Sequence, residues 1–175
     1  GSEVIAAVHM DARVRLAAKD WTALAHLVRG QIGRLADDHV RGRIELTGSM
    51  RDIAAAATWA AQAGPVAVLG YCWGGTLALL SCTRLKLPAV SYYGGRSVPL
   101  LHERPGAPLL MHFGERDSII PPAHLALTRA ALPQAEIHVW PAGHGFNCEE
   151  RADYDPACAL QAQAVTLAFL QRQAA

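Results

Sequence analysis

Apolar positions along the chain fall into short runs separated by turn residues. "VAVLG" (66–70), "AVSYY" (89–93), "PLLMHFG" (108–114) and "EIHVW" (136–140) have the length of strands and are rich in β-branched and aromatic residues. Near-continuous apolar runs of this kind fit strands buried on both faces of a parallel sheet. "GTLALLSCTRL" (75–85) and "PAHLALTRAAL" (122–132) read as helices, the second opening after Pro121. Ser49 followed by Asp52 resembles a capping box opening a helix across "MRDIAAAATWAAQA" (50–63), which Gly64-Pro65 ends. Asp155 as N-cap and Pro156 at the first helical position open a final helix. Its Leu160, Ala164, Leu167 and Ala168 lie at helical spacing and form the face expected to pack on the sheet. Upstream, "EVIAAVH" (3–9), "DARVRLAAK" (11–19) and "WTALAHLV" (21–28) read as strand, short helix and strand, and residues 29–48 as loop with at most a helical turn. Alternating strands and helices predict a single α/β domain over 1–175, doubly wound, with a mostly parallel sheet and helices on both faces.

Composition narrows this picture. The 175 residues suffice for one core, and 51% apolar against 18% charged residues is a globular balance. A formal net charge of +1 without a basic run gives little to attract nucleic acid, which is not an expected partner. Residues 53–83 carry no charged side chain and are long enough to cross a bilayer. Gly64-Pro65 and Gly74-Gly75 interrupt them, so two buried elements joined at a turn account for the run better than a membrane span. No basic segment precedes an apolar one at the N-terminus, so no secretory leader is read there. Cys72, Cys82, Cys148 and Cys158 show neither CxxC pairing nor metal-ligand spacing. They read as reduced thiols of a cytoplasmic protein, with no metal and no disulfide framework.

One of those thiols sits where the period changes. Gly70-Tyr71-Cys72-Trp73-Gly74 fits the nucleophile elbow, in which a strand turns straight into a helix and exposes the central residue. Glycines flank it because strand and helix crowd together there. The helix N-terminus beyond the turn favours a thiolate, and the Trp73 backbone N–H is placed as an oxyanion donor. A buried core cysteine is the plainer alternative. The predicted strand before Cys72 and helix after it are the context the elbow requires.

A thiol needs a base, and in this architecture catalytic groups follow the carboxyl ends of strands. Asp117 in "HFGERDSIIP" (112–121) and His144 in "HVWPAGHGF" (138–146) occupy such loops, in the order nucleophile, acid, histidine expected of an α/β-hydrolase. Glu115 is the second acid in reach of the same role. His112 and His138 lie within predicted strands and read as structural.

These segments resemble the dienelactone hydrolase family, cysteine members of the α/β-hydrolase fold. The resemblance rests on "GYCWGG" (70–75), "YYGG" (92–95), "HFGERDSIIP" (112–121), "PAGHGFN" (141–147) and "ADYDPA" (152–157), in matching order and spacing. It implies a Cys72–His144–Asp117 triad that cleaves small carboxylic esters or lactones through a thioester, without cofactor or metal. The family's thiol-contacting glutamate has Glu3 as its possible counterpart; alternatively 3–9 is the preceding strand and the loop after it is shortened around His9-Met10. In either case the resemblance leaves the family's opening strands unmatched and implies an N-terminally shortened form of the fold. Tyr92 and Tyr93 are candidates for the substrate pocket. Arg151 is a candidate for gripping a substrate carboxylate, since the family's arginine four residues after the histidine is Cys148 here. The competing expectation is a catalytically impaired hydrolase domain used for binding or oligomerisation, with a second copy covering an apolar sheet edge.

Overall fold

The computed structural model describes residues 46–174. Four strands, β1 (Val68–Tyr71), β2 (Ala89–Tyr92), β3 (Leu109–Gly114) and β4 (Glu136–Trp140), form one sheet in the order β1-β2-β3-β4. Every pairing is parallel, with Tyr71 opposite Tyr92, Tyr92 opposite His112 and His112 opposite His138. Four α-helices accompany them among the described residues: α1 (Leu46–Ala60), α2 (Trp73–Arg84), α3 (Pro122–Ala131) and α4 (Pro156–Ala174). Because all strands run the same way, the loops that follow them gather along one edge.

Successive side chains on a strand point to opposite faces, and β2 shows what covers each. Ser91 faces α2, where a β-carbon on Gly75 would lie 2.9 Å from its Oγ and 2.6 Å from the Tyr92 carbonyl oxygen. Only glycine permits that approach of helix to strand. Tyr92 faces the other way, its hydroxyl 2.7 Å from Thr166 Oγ1 on α4. Helices α2 and α4 therefore cover opposite faces of a sheet whose central strands β2 and β3 are wholly buried.

Two expectations are corrected. Helix α1 already includes Leu46, so Ser49 lies inside it rather than capping it. The apolar stripe of buried Met50, Ile53 and Ala57 extends back to Leu46, which packs on the core, and so carries the helix past the apparent cap. Helix α4 does start at Pro156, with Asp155 Oδ1 accepting the Cys158 N–H at 2.9 Å. Its buried stripe, however, is Cys158, Ala159, Ala162, Thr166 and Phe169, while Leu160 and Leu167 are 68% and 53% exposed. Small side chains let α4 approach the sheet closely, and the Thr166 hydroxyl finds partners inside, so apolar character alone picked the wrong face. The expected elements 3–9, 11–19 and 21–28, most of the loop 29–48, and Glu3 lie outside the described residues.

Candidate active site

The turn between β1 and α2 holds Cys72 at φ 52°, ψ −115°, a region that a residue with a β-carbon enters only under strain. Helix α2 starts at the next residue, two positions earlier than its apolar pattern suggests. The Cys72 N–H donates to the Tyr92 carbonyl at 2.9 Å, and its own carbonyl accepts from Gly75 N–H at 2.9 Å. The backbone is thus pinned on both sides while the side chain is left projecting.

His144 arrives from the loop after β4. Its Nε2 lies 3.3 Å from Cys72 Sγ, and its Nδ1 lies 2.8 Å from Asp117 Oδ2. Asp117, from the loop after β3, accepts the backbone N–H groups of Ile119 at 2.7 Å and Ile120 at 2.9 Å on its other oxygen. Its orientation is therefore fixed before it meets the imidazole. Glu115 lies exposed at the start of the same loop.

The electrostatics agree with the geometry. Burial resists ionisation of Cys72, but the hydrogen bond and charge of His144 and the Trp73 N–H outweigh it and hold the thiol below its ordinary value. Burial likewise resists charging His144, yet the bonds to Asp117 and Cys72 and their charges carry its pKa up to about 9. Asp117 is held low against its burial by His144 and by the N–H groups of Ile120 and Ile119. Together these directions favour a thiolate–imidazolium pair at neutral pH. The arrangement is a thiol, an imidazole and an anchored carboxylate in sequence.

The strand and turn sequences that build this site are not confined to one chain. A model of the dienelactone hydrolase family matches residues 27–174. The chain belongs to that family. Of its relatives, the carboxymethylenebutenolidase of Pseudomonas sp. (strain P51) is 32% identical over 138 residues, covering 73% of this chain and 58% of that one. The carboxymethylenebutenolidase of Pseudomonas putida is 33% identical over 114 residues, 61% of this chain and 48% of the other. The chain thus spans about half the length of these curated relatives. A crystal structure from Klebsiella pneumoniae subsp. pneumoniae MGH 78578, assigned to the dienelactone hydrolases, superposes with a TM-score of 0.66 at 30% identity, over 74% of this chain and 63% of that one. With the parallel sheet and its flanking helices, this similarity establishes an α/β-hydrolase fold.

The remaining dienelactone hydrolase-type positions divide. Tyr93, at φ 40°, is buried with its ring centroid 5.0 Å from that of His144. Tyr92 turns instead toward α4, away from the thiol. Arg151 is half-buried and its stem runs beside Gly145, where a β-carbon would meet its Cδ at 2.5 Å. Cys148 is half-buried in the same loop. A cavity of about 520 Å³ lies between the β1 side of the sheet and α4, lined in part by Leu69, Tyr71, Tyr92 and Leu167 and by none of Cys72, Asp117 or His144. No group of three or more His, Cys, Asp or Glu side chains among the described residues is arranged to hold a metal ion. No described helix is long and apolar enough to cross a membrane.

Two features gave no signal in the sequence. Arg96 lies over the Trp73 ring, 5.5 Å from its centroid. His112 and Thr166 are buried and bonded to each other at 3.0 Å although they stand far apart in the chain. Both depend on contacts between segments distant in the chain, which no local pattern announces.

Proposed function

We propose that this protein hydrolyses small carboxylic esters or lactones through a Cys72–His144–Asp117 triad. The observation that carries this reading is the unbroken chain Sγ···Nε2 at 3.3 Å and Nδ1···Oδ2 at 2.8 Å, ending on a carboxylate fixed by two backbone N–H groups. Family membership supports the same chemistry.

In this mechanism the Cys72 thiolate attacks the carbonyl carbon. The new S–C bond moves the carbonyl electron pair onto oxygen, toward the Trp73 N–H. Collapse of the tetrahedral adduct breaks the C–O bond, and His144 gives its Nε2 proton to the leaving alkoxide. A lactone opens by the same step, its alkoxide staying tethered to the acyl group. His144, now neutral, takes a proton from water, which attacks the thioester and releases the acid and the Cys72 thiolate. Asp117 holds the Nδ1–H tautomer throughout and stabilises the imidazolium.

The test is turnover of p-nitrophenyl acetate by the wild-type protein and by Cys72→Ala, with mass spectrometry of the acylated protein. A transient acetyl group on Cys72 and loss of turnover in the variant are expected. Equal rates in the two proteins would remove Cys72 from the mechanism.

A further inference from the structure

Beneath the triad lies a second polar chain that the proposed reaction does not use. Trp140 Nε1–H donates to His112 Nδ1 at 3.1 Å, His112 Nε2 lies 3.0 Å from Thr166 Oγ1, and Thr166 Oγ1 lies 2.7 Å from the Tyr92 hydroxyl. An indole N–H can only donate, so His112 Nδ1 must accept and the imidazole proton sits on Nε2, pointing at Thr166. Burial, and secondarily the charge of His138, hold His112 down to about pKa 3, so it stays neutral in this role. Tyr92, His112 and Thr166 are buried, the first and last at the wall of the cavity beside α4. The chain therefore spans β4, β3, α4 and β2 with every imidazole nitrogen committed.

This chain touches the site at two points. The His112 carbonyl accepts the Tyr93 N–H at 2.7 Å, in the residue whose left-handed backbone places its ring against His144. Tyr92 and Tyr93 both pack on Phe146, two residues beyond His144, at 6.2 and 5.6 Å between ring centroids. The Phe146 carbonyl in turn accepts the Asp155 N–H at 3.0 Å, at the start of α4. A strained conformation persists only where its surroundings hold it.

We propose that His112 and Thr166 are positioning residues for His144, acting through Tyr92, Tyr93 and Phe146 to hold the imidazole in line between Cys72 and Asp117. The proposal rests on the hydrolase reading for its catalytic consequence, but the placement of His144 against the thiol is measurable without turnover. Thr166 is the discriminating position. Its hydroxyl serves both His112 and Tyr92, and valine keeps the shape while removing the group that joins them.

The experiment compares the wild type with Thr166→Val, Thr166→Ser and His112→Phe. It reads kcat and KM on p-nitrophenyl acetate and the pH dependence of Cys72 alkylation by iodoacetamide, followed by mass spectrometry. In Thr166→Val, kcat is expected to fall about tenfold with KM within about twofold, since misplacing a catalytic group acts on the chemical step. The alkylation midpoint moves up toward the ~8.5 of an unassisted thiol. Thr166→Ser restores both, and His112→Phe shifts them in the same direction. Should His112→Phe fail to fold, the two Thr166 variants decide alone. Wild-type kcat and alkylation profile in a folded Thr166→Val protein overturn the proposal. So does a loss that Thr166→Ser does not restore, because the effect then belongs to packing. A wild type that turns over no ester, yet whose Cys72 profile shifts in Thr166→Val, ends the hydrolase reading and leaves the positioning role standing.

Discussion

Two histidines separate the rim of this molecule from the interior beneath it. His144 on the rim and His112 in β3 are 2% and 0% exposed, yet one is carried up to about 9 and the other down to about 3. Burial pushes both the same way, toward the neutral form. The difference lies in the partners. His144 meets the Asp117 carboxylate and a thiol that can share its proton, whereas His112 meets an indole N–H and a hydroxyl, neither of which rewards a positive charge. The same side chain bridges a thiol and a carboxylate in one place and an indole and a hydroxyl in the other. A buried histidine is thus defined by what it faces, not by how deeply it is buried.

The sharpest way to break the contrast is to remove the groups that make His144 different. Cys72→Ala is expected to lower ester turnover by ~10³-fold or more, and Asp117→Asn by ~10²–10⁴-fold, measured as kcat/KM on p-nitrophenyl acetate. Asp117→Asn removes the carboxylate that holds the charge on His144, so the alkylation midpoint of Cys72 climbs toward ~8.5. An unshifted midpoint would show that the carboxylate does not govern the pair.

Stability should respond to pH with opposite slopes at the two sites. The folded-state pKa of His144 lies above its ordinary 6.5, so its contribution is complete below 6.5 and is lost as pH rises through about 9. That of His112 lies below 6.5, so its contribution is present above 6.5 and is lost as pH falls toward about 3. Melting temperatures from pH 4 to 10 should fall at both ends, and His112→Phe should flatten the acid limb alone. An acid limb unchanged in that variant would assign it to other groups.

Smaller effects bound the comparison. Gly75→Ala forces a β-carbon against the Tyr92 carbonyl at 2.6 Å, in the backbone that links the elbow to β2. It should destabilise by about 1–3 kcal/mol in chemical denaturation. Arg172→Ala removes a 2.7 Å ion pair with Glu136 whose side chains are 54% and 40% exposed. Its cost should stay below ~1 kcal/mol, with turnover unchanged, because solvent screens such pairs. A large loss there would reveal a coupling from the end of α4 into the His112 chain.

The elbow was legible because its determinants are adjacent in sequence. Gly70, Gly74 and Gly75 around Cys72, an apolar strand before it and a helix after it describe one turn almost completely. Asp117 and His144 were legible as loop residues following strands, since parallel topology delivers all such loops to one edge. The start of α1 was misjudged because Ser49 and Asp52 match a capping pattern locally, while Leu46 finds the core. The packing face of α4 is not legible from its leucines, because Leu160 and Leu167 are exposed while Thr166, a residue common on surfaces, is buried.

What the sequence alone determined was therefore local chemistry and order: strand–helix alternation, the strained turn, and the succession of thiol, carboxylate and imidazole. Tertiary structure decided which polar groups are buried and against what. The approach of Thr166 to His112 and Tyr92 joins three segments separated by 54 and 74 positions. The energy of a buried polar group depends on partners that only the folded sheet brings within reach, so no window of neighbouring residues contains it.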